Sequence, residues 1–183
     1  MSDLHAEAVH TLTAWSAPDE QQARLRERFL DLLREHPDSV RADHPGRHLT
    51  ASVLVVDAAA QRVLLCLHGR VGAWLQVGGH LEPDDPTLLA AALREATEET
   101  GIPALTLHPV PIHLDIHPIR CRHGESEHYD VRFVGIAPPG AVERVSPESR
   151  ALGWFAPDAL PQPLGSSVEA LVAPALRLAR AAS

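Results

Sequence analysis

Lysine is missing from this chain of 183 residues: all 16 basic residues are arginine, set against 24 acidic ones, for a formal charge of −8. Phosphate backbones are held by clustered excess positive charge, so extended nucleic acid is excluded as a general partner. The arginine-only usage reflects composition more than mechanism. Cysteine is nearly absent too, with Cys66 and Cys121 far apart and without metal-binding spacing. Cys66 sits in an apolar run and reads as a small buried residue, not as a nucleophile. No apolar run reaches membrane-spanning length, and the first residues carry acids and no apolar core, so neither a membrane partner nor a signal peptide is expected. A cytoplasmic location follows as the economical expectation.

What is present suits one domain with a substantial core, without internal repeats or a long linker. Residues 4–15 and 18–35 read as two helices, the second with Leu25, Phe29, Leu32 and Leu33 at helical spacing and with Ser16 and Asp19 placed as a capping box. A polar, proline-containing segment at 36–48 links them to a β-rich region. Strands are expected at 49–56 and 62–68, joined by a hairpin at 57–61, then at 105–117, 128–136 and 151–155, with a closing amphipathic helix at 168–181. The organisation expected is a helical extension over 1–40 and a second region over 48–183.

The densest chemistry lies in Gly78-Gly79-His80-Leu81-Glu82-Pro83 and in the run from Arg94 to Ile102. On a helix, Glu95, Glu98 and Glu99 stand at i, i+3 and i+4, so their carboxylates share a face and repel one another until a hard divalent cation removes the penalty. Asp85 is placed to cap this helix, Pro86 suits its first turn and Gly101 ends it. Leu89, Leu93 and Ala96 form its apolar back. Ala91 and Ala92 keep the acidic side open to close approach. An ordinary solvated face, with Arg94 and Glu98 as an ion pair of about 0.2–0.5 kcal/mol, is the plainer reading. The preceding apolar run Trp74-Leu75-Gln76-Val77 and the glycine turn favour a cation site, since glycines let a main-chain carbonyl turn toward the same ion.

These residues resemble the Nudix hydrolase box, which reads glycine, five spacers, glutamate, seven spacers, then R-E-U-x-E-E-x-G-U with U a bulky aliphatic. The second half is matched from Arg94 to Ile102, Ala96 being smaller than usual. The first half, counted from Gly79, is one residue longer than the pattern and lacks its first glutamate, for which Asp85 is the nearest substitute and Asp84 the next. The resemblance implies an α/β/α sandwich with a mixed sheet, preceded here by the helical extension, which either covers a sheet face or pairs with its twin in a homodimer.

It also implies an activity: water attack on the diphosphate linkage of a small nucleoside diphosphate derivative, with Mg²⁺, or Mn²⁺ in its place, to neutralise the phosphate oxygens. The metal ligands implied are Glu95, Glu98 and Glu99, with the Gly78 carbonyl. Arg94 holds the glutamates, Glu98 is the general base within the box, and Glu82 lies at the loop edge toward substrate. An acid on a distant loop is the alternative base, with Glu125, Glu127 and Asp130 as candidates. Two other activities share the resemblance. One is a nucleotide-sensing module that no longer cleaves, which would be expected to lose box acids. The other is an isoprenoid-diphosphate isomerase, which needs a cysteine and a glutamate in the cleft.

Two period-two trios stand apart from the box: His113, Asp115 and His117, then His128, Asp130 and Arg132. Paired as a hairpin around 120–127, they would make one polar wall. The first trio reads as a solvent-facing strand surface, with His113 and His117 as a weaker transition-metal candidate. For the second, Arg132 is assigned to a phosphate and His128 to a substrate hydroxyl or phosphate, with this strand expected near the box helix. Trp74, Tyr129, Trp154 and Phe155 could stack on a base, but core packing is the commoner use of each.

Overall fold

Val53, Leu54, Val55 and Val56 are aliphatic on both faces of a strand, a pattern that suits the middle of a sheet covered on both sides. The computed structural model describes residues 3–44, 46–121, 124–146 and 149–182, leaving out the side chains of residues 3, 120 and 121. In it β1 (Arg47–Val56) is buried along all but its first residue. It runs parallel to β7 (Gly124–Ile136), from Arg47 opposite Glu127 to Val56 opposite Ile136. Its other edge is shared by two antiparallel neighbours, β2 (Val63–His68) at the far end and β4 (Val77–His80) nearer the start. Beyond β2 lie β3 (Trp74–Leu75) and β8 (Ser149–Phe155). Beyond β7 lie β5 (Thr106–Leu107) and β6 (His113–Cys121), completing a mixed eight-stranded sheet.

Strand parity sorts the core into two layers. Leu49, Ala51, Val53 and Val55 meet α1 (Asp3–Ala14), α2 (Glu20–Glu35) and α3 (Leu88–Thr100) through Leu12, Phe29, Leu33, Ala92 and Ala96. Leu54 and Val56 meet α4 (Val168–Ala182) through Leu171, Val172, Ala175 and Leu176. The result is the expected α/β/α sandwich with a mixed sheet and helices in front.

The extension does more than cover the sheet. The Trp15 indole donates to the Pro111 carbonyl at 2.6 Å. The Gln22 side chain accepts from the Leu114 amide at 2.7 Å and donates to its carbonyl at 3.1 Å, satisfying backbone groups on the open edge of β6. The apolar stripe of these helices packs on the sheet within the chain.

Five local expectations are corrected. Asp19 is itself the N-cap of α2, accepting from the Gln22 amide at 2.8 Å. Pro18 disfavours a helical residue before it, so Ser16 stays outside. Helix α3 starts at Leu88 with Thr87 as its cap, and the Leu88 amide reaches Glu7 of α1 at 2.9 Å. Asp85 is drawn instead to Arg94. Leu93 is 38% exposed while Leu88, Ala91, Ala92 and Ala96 are buried, so the helix is rotated and its small residues admit the sheet rather than a substrate. The pair Gly78 and Gly79 lies within β4, opposite Ser52 and Ala51, not in a turn. The strand expected at 105–117 breaks into β5 and β6 across Pro109 and Pro111, which offer no amide to a ladder. Among the described residues, no helix is long and apolar enough to cross a membrane.

Candidate active site

Arg94 is the hub on the α3 side of the sheet. Its Nε and Nη2 grip Asp85 at 3.1 and 2.8 Å, and Nη2 also donates to the His80 carbonyl at 2.9 Å. Nη1 reaches Glu95 at 2.9 Å and Glu98 at 3.3 Å, and Glu82 stands 3.8 Å from Nε. The guanidinium thus ties helix, loop and strand together, as a planar fork of donors can. Hydrogen bonding to Asp85 raises the Arg94 pKa against the effect of burial. Burial opposes ionisation of Asp85, but the Arg94 bonds and the Glu82 amide outweigh it and hold its carboxyl below the usual range.

The glycines make room for this. A Cβ on Gly79 would lie 2.7–2.9 Å from the Glu95 carboxylate, so that carboxylate rests on bare backbone. Glu99, only 6% exposed, accepts from the Gly78 amide at 2.8 Å. Glu98 has a side chain 60% exposed and is the most exposed of the trio. All these donors are hard oxygens, the set that suits Mg²⁺ better than a soft ion. Glu95, Glu98 and Glu99 therefore make a donor set that suits the ion expected of them.

The opposite face carries the two trios. β6 and β7 pair as a hairpin with His113 opposite Arg132, Asp115 opposite Asp130 and His117 opposite His128; its tip, residues 122 and 123, lies outside the described residues. The polar wall exists, but it is not a solvent surface. Asp130 and Arg132 are 3% and 2% exposed. Arg132 donates from Nε to Asp130 (2.8 Å), from Nη2 to Asp115 (2.8 Å) and from Nη1 to Ser167 (2.8 Å), just before α4. Asp130 also accepts from Thr50 (3.1 Å) and Ser52 (2.8 Å) of β1. For both Asp115 and Asp130, burial opposes ionisation, yet Arg132 and the surrounding hydrogen bonds lower the pKa.

Next to this network, His48 of β1, His80 of β4 and His128 of β7 bring their rings together, tilted or edge-on, with centroids 4.8 to 5.1 Å apart. His117 adds a fourth ring 5.5 Å from His128. Burial, then the neighbouring imidazoles, pushes His48 down to about 4 and His128 to about 3. His113 stands apart, against the Gln22 amide at 3.1 Å, its pKa lowered by burial and by Arg132.

The sequence model of the NUDIX domain matches residues 46–175. The chain belongs to the Nudix hydrolase family. A NUDIX-family hydrolase from Clostridium perfringens is 26% identical with a TM-score of 0.60, covering 73% of this chain and 98% of that one. A MutT NUDIX hydrolase from Burkholderia pseudomallei is 27% identical with a TM-score of 0.55, covering 69% and 96%. An Ap4A hydrolase from C. elegans, 19% identical with a TM-score of 0.53 over 73% and 97%, shares the fold. Helices α1 and α2 precede the matched residues.

Asp85, the expected substitute for the missing glutamate, is buried against Arg94, whereas Asp84 is exposed. The loop's extra residue and the shorter acid still deliver a bidentate contact to Arg94. Arg132, expected to take a phosphate, already has internal acceptors on every nitrogen. Asp130, expected to reach substrate or act as a base, is buried against it. His128 joins the imidazole cluster, and its strand turns this trio away from the box helix. Glu125 and Glu127 lie on β7, opposite Arg120 and Pro118, rather than on a loop.

Cys66 is free and buried, its thiol pushed up to about 12 by burial and then by Glu99, which suits packing rather than a nucleophile. The aromatics pack as well. Trp74 meets Phe155 and Tyr129 meets Phe29 edge-on, while Trp154 donates to Glu143 at 2.9 Å. The residues that sequence reasoning missed are His48 and His80. Their signal was the polar series His48, Thr50, Ser52 in an otherwise aliphatic strand.

Proposed function

We propose that this Nudix chain is a divalent-metal-dependent hydrolase that cleaves the diphosphate linkage of a small nucleoside diphosphate derivative by water attack at phosphorus. The observation that carries the reading is the Arg94 hub, which collects Asp85, Glu95, Glu98 and the His80 carbonyl while Glu99 is fixed on the Gly78 amide. A module kept only for sensing has no need of so complete an arrangement.

Glu95, Glu98, Glu99 and the Gly78 carbonyl would hold Mg²⁺, or Mn²⁺ in its place. When bound, that ion supplies neutralisation of the diphosphate oxygens and a lowered pKa for water. The protein's own part is positional and basic. Arg94 keeps Glu95 and Glu98 from swinging apart, and Glu99 is locked against β4. Glu98, the exposed member, is left to accept the proton of the attacking water. Glu82, also 60% exposed at the loop edge, is the residue placed toward substrate. The net charge of −8 supports a small substrate bridged by metal over a long polyanion.

The test is cleavage of a panel of nucleoside diphosphate derivatives to nucleoside monophosphate at fixed Mg²⁺, read as phosphate freed from the products by a coupled phosphatase, for the wild type and Glu98→Gln. Turnover should fall about 10²–10⁴-fold in the variant, with the thermal midpoint retained. Equal turnover in the two proteins would remove Glu98 from the chemistry. Binding of a nucleotide without release by the wild type would favour the sensing module.

A further inference from the structure

Neither ring nitrogen of His48 meets a hydrogen bond of ordinary geometry, although the side chain is only 1% exposed. A buried imidazole whose hydrogen-bond contact is a poor one to the His44 backbone is under-satisfied, and such a group in a native fold calls for an explanation. Its surroundings supply one. Ligand nitrogens of His48, His80 and His128 all lie within 4.8 Å of one another, the one group of three or more such donors found among the described residues.

We propose that His48, His80 and His128 form a site for a borderline divalent transition ion, Zn²⁺ being the ion of best fit, separate from the carboxylate box. Imidazole suits zinc, copper, iron and nickel, whereas Mg²⁺ prefers oxygen. A tetrahedral ion with bonds of about 2.0–2.1 Å spaces its donors roughly 3.4 Å apart, so small ring rotations close the site. The ligands come from β1, β4 and β7, adjacent strands of a rigid sheet.

His117 provides the next layer. Its Nδ1 lies 2.9 Å from the Asp115 carboxylate, which in turn accepts from Arg132 and Ser167. A carboxylate on one ring nitrogen fixes the tautomer and leaves the other nitrogen basic, the arrangement that commonly supports metal-bound histidine. His117, its ring 5.5 Å from that of His128, is the candidate fourth donor. His80 and His128 are half-buried and give an ion a way in.

The consequence reaches the box through β4. The carbonyl of His80 is held by Arg94 and the amide of Gly78 by Glu99. An ion on the His80 ring would tie that strand to β1 and β7 from behind, and so fix the backbone on which the carboxylates rest.

The experiment uses full-length protein freed of any polyhistidine tag, stripped with chelator and returned to excess Mg²⁺. Zn²⁺ is measured by competition with a chromogenic chelator, and Co²⁺ by its visible absorption. One equivalent of Zn²⁺ should bind despite the Mg²⁺, Co²⁺ should show the intense bands of a tetrahedral site, and Zn²⁺ should raise the thermal midpoint. His48→Gln and His80→Gln should each weaken Zn²⁺ by about 100-fold or more, and His117→Asn by about 10-fold. Should His48→Gln fail to fold, the less buried His80→Gln carries the test. Glu98→Gln should leave the Zn²⁺ affinity intact, which separates this site from the box and from the fate of the proposed activity. Equal Zn²⁺ binding by wild type and His80→Gln, or loss of it in Glu98→Gln, would overturn the proposal.

Discussion

The two faces of one sheet hold charge in opposite ways. On the α3 side, Arg94 serves several carboxylates at once, and Glu82 and Glu98 remain largely exposed. On the α4 side, Arg132 serves Asp115 and Asp130 with its side chain 3% exposed, and burial pushes the His48 and His128 imidazoles beside it toward the neutral form. The same pairing of a guanidinium with acids therefore has two uses. Where water reaches the acids they can rearrange around an ion or a substrate. Where water is excluded, every acceptor is committed and the network fixes strands.

That contrast predicts different failures from similar substitutions. Asp130→Asn should be the most damaging to the fold, since it leaves Arg132 short of its buried counter-charge and disturbs the hydroxyls of Thr50 and Ser52. Removing one partner of a buried pair costs about 3–5 kcal/mol. Chemical denaturation of this variant beside Glu98→Gln would show it directly. The exposed variant should stay within about 0.5 kcal/mol of wild type. A cost below about 1 kcal/mol for Asp130→Asn would mean that the wall is not a structural network.

Gly79→Ala should do the reverse. The added methyl meets the far end of the Glu95 side chain at 2.7–2.9 Å, and that end can move. The fold should survive, but Glu95 would leave its place over β4, and a displacement of about 1 Å in a reacting constellation can cost on the order of 10²-fold in rate. Turnover and thermal midpoint measured on the same sample would separate the two effects. Gly78→Ala is a harsher control, because that residue has φ +151° and its Cβ would overlap Ser52 backbone as well as side chain.

How far the sequence revealed this contrast depends on distance along the chain. The box was legible because Glu95, Glu98 and Glu99 sit within little more than one helical turn, where spacing alone sets the shared face. The pairing of His117 with His128 and Asp115 with Asp130 was legible from period-two alternation across a hairpin. Burial of that wall was not, because its cover comes from Ser167, 35 residues beyond Arg132. The triad was equally hidden. His48 meets His128 only through the parallel pairing of β1 with β7, and a crossover of that length leaves no local spacing to read. Asp85 shows the same limit from the other side: its local preference for a helix cap lost to Arg94, nine residues on.

The smallest effect expected lies outside both regions and calibrates them. Asp57 turns the chain between β1 and β2, its carboxylate accepting from the Gln61 amide at 2.8 Å, the Arg62 amide at 3.0 Å and the Arg62 Nε at 3.1 Å. Burial opposes its ionisation, but the Arg62 and Gln61 amides and the Arg62 side chain outweigh burial and lower the pKa from 3.8. A carboxyl with a folded pKa below its unfolded one binds fewer protons when folded. Its stabilisation is thus complete above the unfolded pKa and is lost as the pH falls through the folded one. Asp57→Asn should cost about 1 kcal/mol at neutral pH, the value of an ordinary turn hydrogen bond, and the gap from wild type should narrow as the pH falls below the ordinary value of 3.8. Denaturation of both proteins at pH 7 and pH 3 would test it. If the gap persisted in acid, the contribution of Asp57 would be one of turn shape rather than of charge, and the far larger cost expected at Asp130 could then be read as the price of burial alone.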